Sequence, residues 1–239
     1  MSTVENVEPF GDGFIAALCP ELIIFVGLIL LIIVPNLGKG TVRIPGTQTR
    51  VMWFLGGERF KLTSNPRLPA WIATITLGAA FAQTILSFQD GVDRTAIVTD
   101  SGKQLMLVNG FSRVFELIFF GALTLAAFAS MNRLEVKGVG PNLSTDDLYN
   151  NRRQADFYIL MLTCGLGMSV VALAQDLFVL FIGLELASFS TYVLVAFYKE
   201  TKAGTEAGMK YFIVGSVASG VGLYGLSMLY LWAGSLQFN

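Results

Sequence analysis

Glu185 has the strongest claim to chemistry in this sequence. It sits inside the apolar run LFVLFIGLELASFSTYVLVAF, residues 177–197. As a helix that run is about 31 Å long, enough to cross the hydrocarbon of a bilayer. Glu185 would then lie roughly 12 Å in from the start of the run. A carboxylate near the centre of a span costs about 2.5–3.5 kcal/mol on insertion scales. Chains carry such a cost when the group moves protons or ions, or when it bonds one helix to another. Ser188 and Tyr192 follow at i+3 and i+7, on the same helical face. Hydroxyls beside an acid can order water, which suits a proton relay; the structural alternative is a carboxylate that bonds a neighbouring helix.

A second charged set follows in the stretch EAGMKYF, residues 206–212. Glu206 and Lys210 stand at i and i+4, the favourable order for an ion pair on a helix. Lysine is suited to holding and releasing a proton when buried. It is equally suited to reaching the membrane interface from a helix end. The functional expectation is one titrating cluster of Glu185, Glu206 and Lys210. Elsewhere, Arg113 and Glu116 stand at i and i+3 and are placed to pair with each other. Glu21 follows Pro20 near a helix start, where a carboxylate complements the helix dipole. Asp176 is placed to cap the helix after it.

There is no histidine, which removes the commonest metal ligand and the usual group that titrates near neutral pH. The two cysteines, Cys19 and Cys164, lie in or beside apolar runs, far apart, and read as small buried hydrophobes. No phosphate-binding glycine loop, nucleophile–base pair or redox-ligand set is visible. The chain is therefore expected to hold no cofactor and to carry no electrons. A net charge of −1 without basic clusters argues against nucleic acid.

These residues must be held by membrane spans. Mean hydropathy is +0.63 and charged residues are 14% of the chain. Apolar runs at 14–34, 69–88, 108–131, 155–174, 177–197 and 207–232 predict an all-α integral membrane protein with six transmembrane helices. The implied organisation is an outer segment 1–13, three spans over 14–134 with an irregular loop at 35–68, an inner loop 135–154, three spans over 155–232, and a tail 233–239. Ser144 and Asp147 are spaced to cap a short surface helix within the second loop. Gln175-Asp176 is so short a connection that the fourth and fifth spans must pair antiparallel. The loops at 35–68, 132–154 and 198–206 hold twelve Lys and Arg, against two on the alternate side. The positive-inside rule then places both termini outside, in agreement with an even number of spans. Residues 1–13 lack Lys and Arg, so the positive region of a signal peptide is missing. Small residues at Gly215, Ser219 and Gly222, and at Ala218, Gly222 and Gly225, make a helix-packing face on the sixth span.

The stretches LFVLFIGLELASFSTYVL, EAGMKYF and LYG (223–225) are similar to the antiporter-like proton-translocating subunits of respiratory complex I. The resemblance is closest to the smallest of them, subunit 2 of the mitochondrial enzyme and subunit N of the bacterial one. PELI (20–23), NGFSR (109–113) and FYIL (157–160) support it, as does the run through Gly167 and Met168 to Asp176. It implies that Glu185 matches the buried glutamate of the family's fifth helix, and Lys210 and Glu206 a lysine and glutamate on its sixth. It also implies membership of a proton-translocating NADH:ubiquinone reductase, with flavin, iron–sulfur clusters and quinone held elsewhere in the complex. Partners would be the other membrane subunits and the lipid bilayer. The expected location is the mitochondrial inner membrane or, alternatively, the bacterial plasma membrane. Family members have about fourteen helices built from two inverted repeats, and this sequence matches the first six. Either a second polypeptide supplies the missing helices, the reading favoured here, or the sequence is a fragment of a longer chain. The alternatives are a subunit of a multisubunit cation/proton antiporter or membrane hydrogenase, or a non-pumping membrane scaffold.

Overall fold

The computed structural model describes residues 5–6, 12–33, 40–43, 50–53, 67–90, 94–98, 104–131, 145–198 and 201–238. In chain order these form β1 (Glu5–Asn6), α1 (Asp12–Ala17), α2 (Cys19–Ile33), β2 (Gly40–Arg43), β3 (Arg50–Trp53), α3 (Leu68–Asp90), β4 (Arg94–Val98), β5 (Gln104–Val108), α4 (Gly110–Ser130), α5 (Thr145–Leu173), α6 (Leu177–Val195) and α7 (Lys202–Ala233). Five of the helices, α3 to α7, are long and apolar enough to cross a membrane, and α2 is a shorter apolar helix. The chain is an all-α multi-pass membrane protein, and each of the six expected spans has its helix.

The first span differs in detail. It is broken at Leu18 into α1 and α2. Pro20 accounts for the break: it has no N–H to bond the Ala16 carbonyl and its ring crowds that carbonyl, whereas a proline in the first turn of the next helix costs little. The third span starts at Gly110, because Asn109 stops the preceding strand and caps α4. Its side chain accepts from the Ser112 N–H at 2.8 Å, and the Asn109 N–H donates back to Ser112 Oγ at 3.0 Å. The fourth span's helix begins at Thr145, well before the apolar run at Ala155, so a single long helix replaces the expected short surface helix. Ser144 itself lies outside the described residues. Asp176 caps α6 as expected, accepting from Phe178 N–H at 2.8 Å.

Two small sheets join the helices. Within the loop expected to be irregular, β2 and β3 pair as an antiparallel hairpin in the register Gly40↔Trp53 to Arg43↔Arg50. The other sheet has the order β1-β4-β5. β4 and β5 are antiparallel, with irregular register around Ile97, and β1 adds in parallel to β4. β5 also bonds the α5–α6 turn: Gln175 N–H donates to the Leu105 carbonyl at 2.9 Å. The segment after α7 closes over the same turn. Leu177 N–H donates to the Leu236 carbonyl at 2.8 Å, and Phe238 N–H to the Gln175 carbonyl at 3.1 Å. Backbone groups that would otherwise be stranded at the helix ends are satisfied in this way. Residues 5–6, β4 and β5, the α5–α6 turn and residues 235–238 therefore share one end of the bundle, the sheet end. These are the segments that charge counting assigns to the outer side.

α2, α3, α4 and α5 enclose the main core, which includes Ile24, Leu31, Leu77, Phe120, Tyr158 and Leu162, all fully buried. α6 packs on α5, and α7 packs on α6. Gly208 is the single buried residue of α7. Its exposed surface includes Phe212, Val217, Val221, Leu229 and Trp232, an apolar exterior suited to lipid or to further helices.

Candidate functional site

Two glycines fix how α6 sits. A Cβ on Gly167 of α5 would fall 2.8 Å from the Gly183 carbonyl oxygen, and one on Gly183 would fall 3.0 Å from the Gly167 carbonyl oxygen. The backbones thus touch at this crossing, which only residues without side chains allow. Glu185 lies two residues past Gly183, about 200° further round the helix. The crossing therefore turns Glu185 away from α5.

It turns Glu185 towards α7. Phe181 and Tyr192 of α6, and Ala196 that caps its end, all touch α7: Phe181 at Gly222, Tyr192 at Gly215 and Ala196 at Gly208. On a helical projection these three and Glu185 fall within about 60°. Ser188 lies on the same stripe. The paired contacts define an antiparallel register, and by that register Glu185 is level with Ser219 of α7. Glu185 is partly buried and makes no hydrogen bond or ion pair with any described residue. Tyr192 is buried beside it, edge-on to the rings of Tyr211 at 5.1 Å and Phe212 at 6.1 Å. Gly215 lies so close under the Tyr192 hydroxyl that a Cβ there would strike the ring. One row of the expected packing face, Gly215, Ser219 and Gly222, is thus the surface that α7 turns to α6.

Glu206 and Lys210 do pair, Oε1 to Nζ at 2.5 Å, and both are exposed. They do not meet Glu185. Lys210 lies two residues past Gly208, hence on the far side of α7 from α6. The register also sets it about 13 Å along the axis from Glu185. The expected single cluster of three charges is therefore two separate parts within this chain: an acid between α6 and α7, and an ion pair on the outward face of α7. On the stripe of α6 that faces α7, the hydroxyls of Ser188 and Tyr192 lie between the two levels.

A further ionisable group lies at the sheet end. Arg113 Nη1 donates to Glu116 Oε2 at 2.6 Å, as their spacing predicts, and Nη2 donates to the Ala17 carbonyl at 2.6 Å. Ser169 Oγ of α5 donates to Glu21 Oε1 at 2.5 Å and lies 3.2 Å from Glu116 Oε1. The dipole reading of Glu21 and the local-pair reading of Arg113 and Glu116 both miss that these residues form one network. Ser169 carries no signal in sequence: a lone serine in an apolar run looks like any helix-packing residue.

Comparison with known proteins adds the following. Residues 174–239 match a family model described as NADH:quinone oxidoreductase/Mrp antiporter, TM, and the matched segment contains Glu185, Glu206 and Lys210. The chain is 31% identical over 221 residues to NADH-quinone oxidoreductase subunit N of Methylobacterium nodulans, covering 92% of this chain and 37% of that one. It is 49% identical over 84 residues to the subunit N of an Azoarcus species, covering 35% of this chain and 17% of that one. The fold is similar to a chain of respiratory complex I from Thermus thermophilus with bound aureothin. There the TM-score is 0.62 at 20% identity, over 92% of this chain and 38% of the other. It is also similar to a chain of the membrane-bound sulfane sulfur reductase, an archaeal respiratory membrane complex, with a TM-score of 0.54 at 20% identity, over 94% and 38%. The chain thus spans well under half the length of these relatives.

Proposed function

We propose that this chain forms the beginning of an antiporter-like, proton-translocating subunit in the membrane arm of a respiratory NADH:quinone oxidoreductase. The observation that carries the reading is the likeness to subunit N along nearly the whole chain, together with a family match that includes all three candidate residues. In this reading Glu185 binds and releases the translocated proton. Ser188 and Tyr192 offer hydroxyls through which ordered water can extend from it. Glu206 and Lys210 bias that proton from the far side of α7. Their charge reaches Glu185 through groups packed against α7, since the pair and the acid do not touch.

The apolar exterior of α7 supports a packing partner: the remaining helices of the antiporter fold, carried either on a second polypeptide or on a continuation of this one. Other membrane subunits of the same complex would complete the arm. NADH oxidation and quinone reduction, with their flavin and iron–sulfur clusters, are assigned to those other subunits, so the chain is an enzyme component without redox chemistry of its own. The subunit N relatives named above are bacterial, which supports a bacterial plasma membrane over the mitochondrial inner membrane.

A second reading is a subunit of a cation/proton antiporter or of another membrane redox complex. It is favoured by the breadth of the family description and by the likeness to the sulfane sulfur reductase. Glu185→Gln in the intact assembly tests the proposal. NADH-driven proton translocation is expected to fall at least tenfold with the complex still assembled. Unaltered translocation would leave a non-pumping scaffold. A sodium-dependent growth defect with intact NADH oxidation would favour the antiporter.

A further inference from the structure

The translocation reading leaves unused the charged network at the sheet end. Its members come from three helices: Glu21 from the first turn of α2, Arg113 and Glu116 from the start of α4, and Ser169 from the last turns of α5. Glu116 and Ser169 are fully buried and Arg113 is 3% exposed.

Counting hydrogens shows what is missing. The guanidinium spends Nη1 on Glu116 and Nη2 on the Ala17 carbonyl, and its Nε is buried without a partner, turned to neither acid. A serine hydroxyl has one hydrogen to give, and Ser169 gives it to Glu21. Its 3.2 Å approach to Glu116 Oε1 then lacks a donor. Glu21 Oε2 is buried and also has no hydrogen-bond partner. The charges do not balance either. Glu21 and Arg113 are the charged groups that act on Glu116, so one cation faces two acids. Among the described side chains, the other elements packed here bring no compensation. Residues 68–88 of α3 and the whole of β5 have no charged side chain, and Arg153 and Asp156 of α5 lie at its opposite end. An uncompensated buried carboxylate is costly, and a buried oxygen without a donor adds to the cost.

A single proton balances the charge and gives the Ser169–Glu116 contact its donor. We propose that Glu21 and Glu116 share one proton across Ser169, making a proton-binding site at the sheet end that is separate from Glu185. With the proton present, the network is neutral: one carboxyl, one carboxylate and one guanidinium. The protonated carboxyl supplies the donor that the serine cannot. Arg113 holds Glu116 from one side and anchors the site to the Ala17 carbonyl before α2. The site is thus built where three helices converge beneath β5, at the end of the bundle shared by the α5–α6 turn. This assignment stands on hydrogen-bond geometry and does not need Glu185 to be the translocating acid.

The test is infrared spectroscopy of the full chain in lipid nanodiscs at neutral pH, with Glu185→Gln in every sample, the one called wild type included, so that its carboxyl adds no band. The wild-type chain is expected to show a protonated-carboxyl C=O band. Glu21→Gln and Glu116→Gln should each abolish it, because one acid then faces one guanidinium and no proton is left to share. Ser169→Ala, a milder change that keeps both acids, should shift the band by removing its hydrogen bond. A wild-type chain without the band, a band that survives both glutamine variants, or a band unmoved by Ser169→Ala would each overturn the proposal.

Discussion

Gly167 and Gly183 meet backbone to backbone across α5 and α6, and this contact sets the direction of everything that α6 displays. A methyl group on Gly167 would lie 2.5 Å from the Ala187 nitrogen, which is rigid helix backbone with nowhere to move. Gly167→Ala is therefore expected to push the helices apart and cost about 1–3 kcal/mol, the range for overpacking a tight contact. Gly78→Ala is the control. Its new methyl would meet only Thr124 Cγ2 at 3.9 Å, an ordinary contact, and alanine is the better helix former. Thermal unfolding of the two variants in detergent checks this, and equal melting temperatures would contradict a backbone-limited crossing.

Arg113 offers a sharper stability test. It is buried, bonded to Glu116 and tied to the carbonyl of Ala17, ninety-six residues away in sequence. Removing one partner of a buried pair leaves a stranded charge, so Arg113→Met should destabilise the fold by about 3–5 kcal/mol. Adding Glu116→Gln should recover part of that loss, because the stranded charge is then gone. Denaturant titration of the single and double variants measures the coupling. Two losses that simply add would show that the pair is solvated.

The spans were legible because bilayer crossing leaves long apolar runs, and the ends of α3, α6 and α7 fall close to those runs. The sheet end was not. β5 is apolar and runs straight into α4, so by composition Val108 looks like the start of a helix, and only the cap at Asn109 divides them. The pairing of Glu206 with Lys210 followed from local spacing. The separation of that pair from Glu185 did not, because it depends on which glycines α5 and α7 turn towards α6. The Glu21–Ser169 contact, between residues 148 apart, is a product of tertiary packing with no trace in either local sequence.

The Glu206–Lys210 pair separates function from stability. Both side chains are largely exposed, 56% and 73%, and such i,i+4 pairs contribute about 0.3–0.5 kcal/mol. Lys210→Met should therefore leave the melting temperature of the chain within experimental scatter. In the assembled complex it should cut proton translocation severalfold, since the charge that biases Glu185 is lost. If turnover and translocation both stay at the wild-type level, Lys210 only anchors the helix at the interface.

Tyr192 tests how the two parts communicate. Its ring is held between α6 and α7 by Tyr211, Phe212 and Gly215, and its hydroxyl lies on the same stripe as Glu185 and Ser188. Tyr192→Phe keeps the ring, its edge-on contacts and nearly all of the buried area, so the α6–α7 packing should survive with little change in stability. What disappears is one hydroxyl on the roughly 13 Å stretch between the level of Glu185 and that of Lys210. If water ordered by Ser188 and Tyr192 carries the proton along that stretch, Tyr192→Phe should slow translocation severalfold while the complex assembles normally. Gly215→Ala should do the same by displacing the ring, with an added loss of stability that the phenylalanine variant lacks. Proton uptake at the wild-type rate in Tyr192→Phe would assign the tyrosine to packing alone and route the proton from Glu185 by another path.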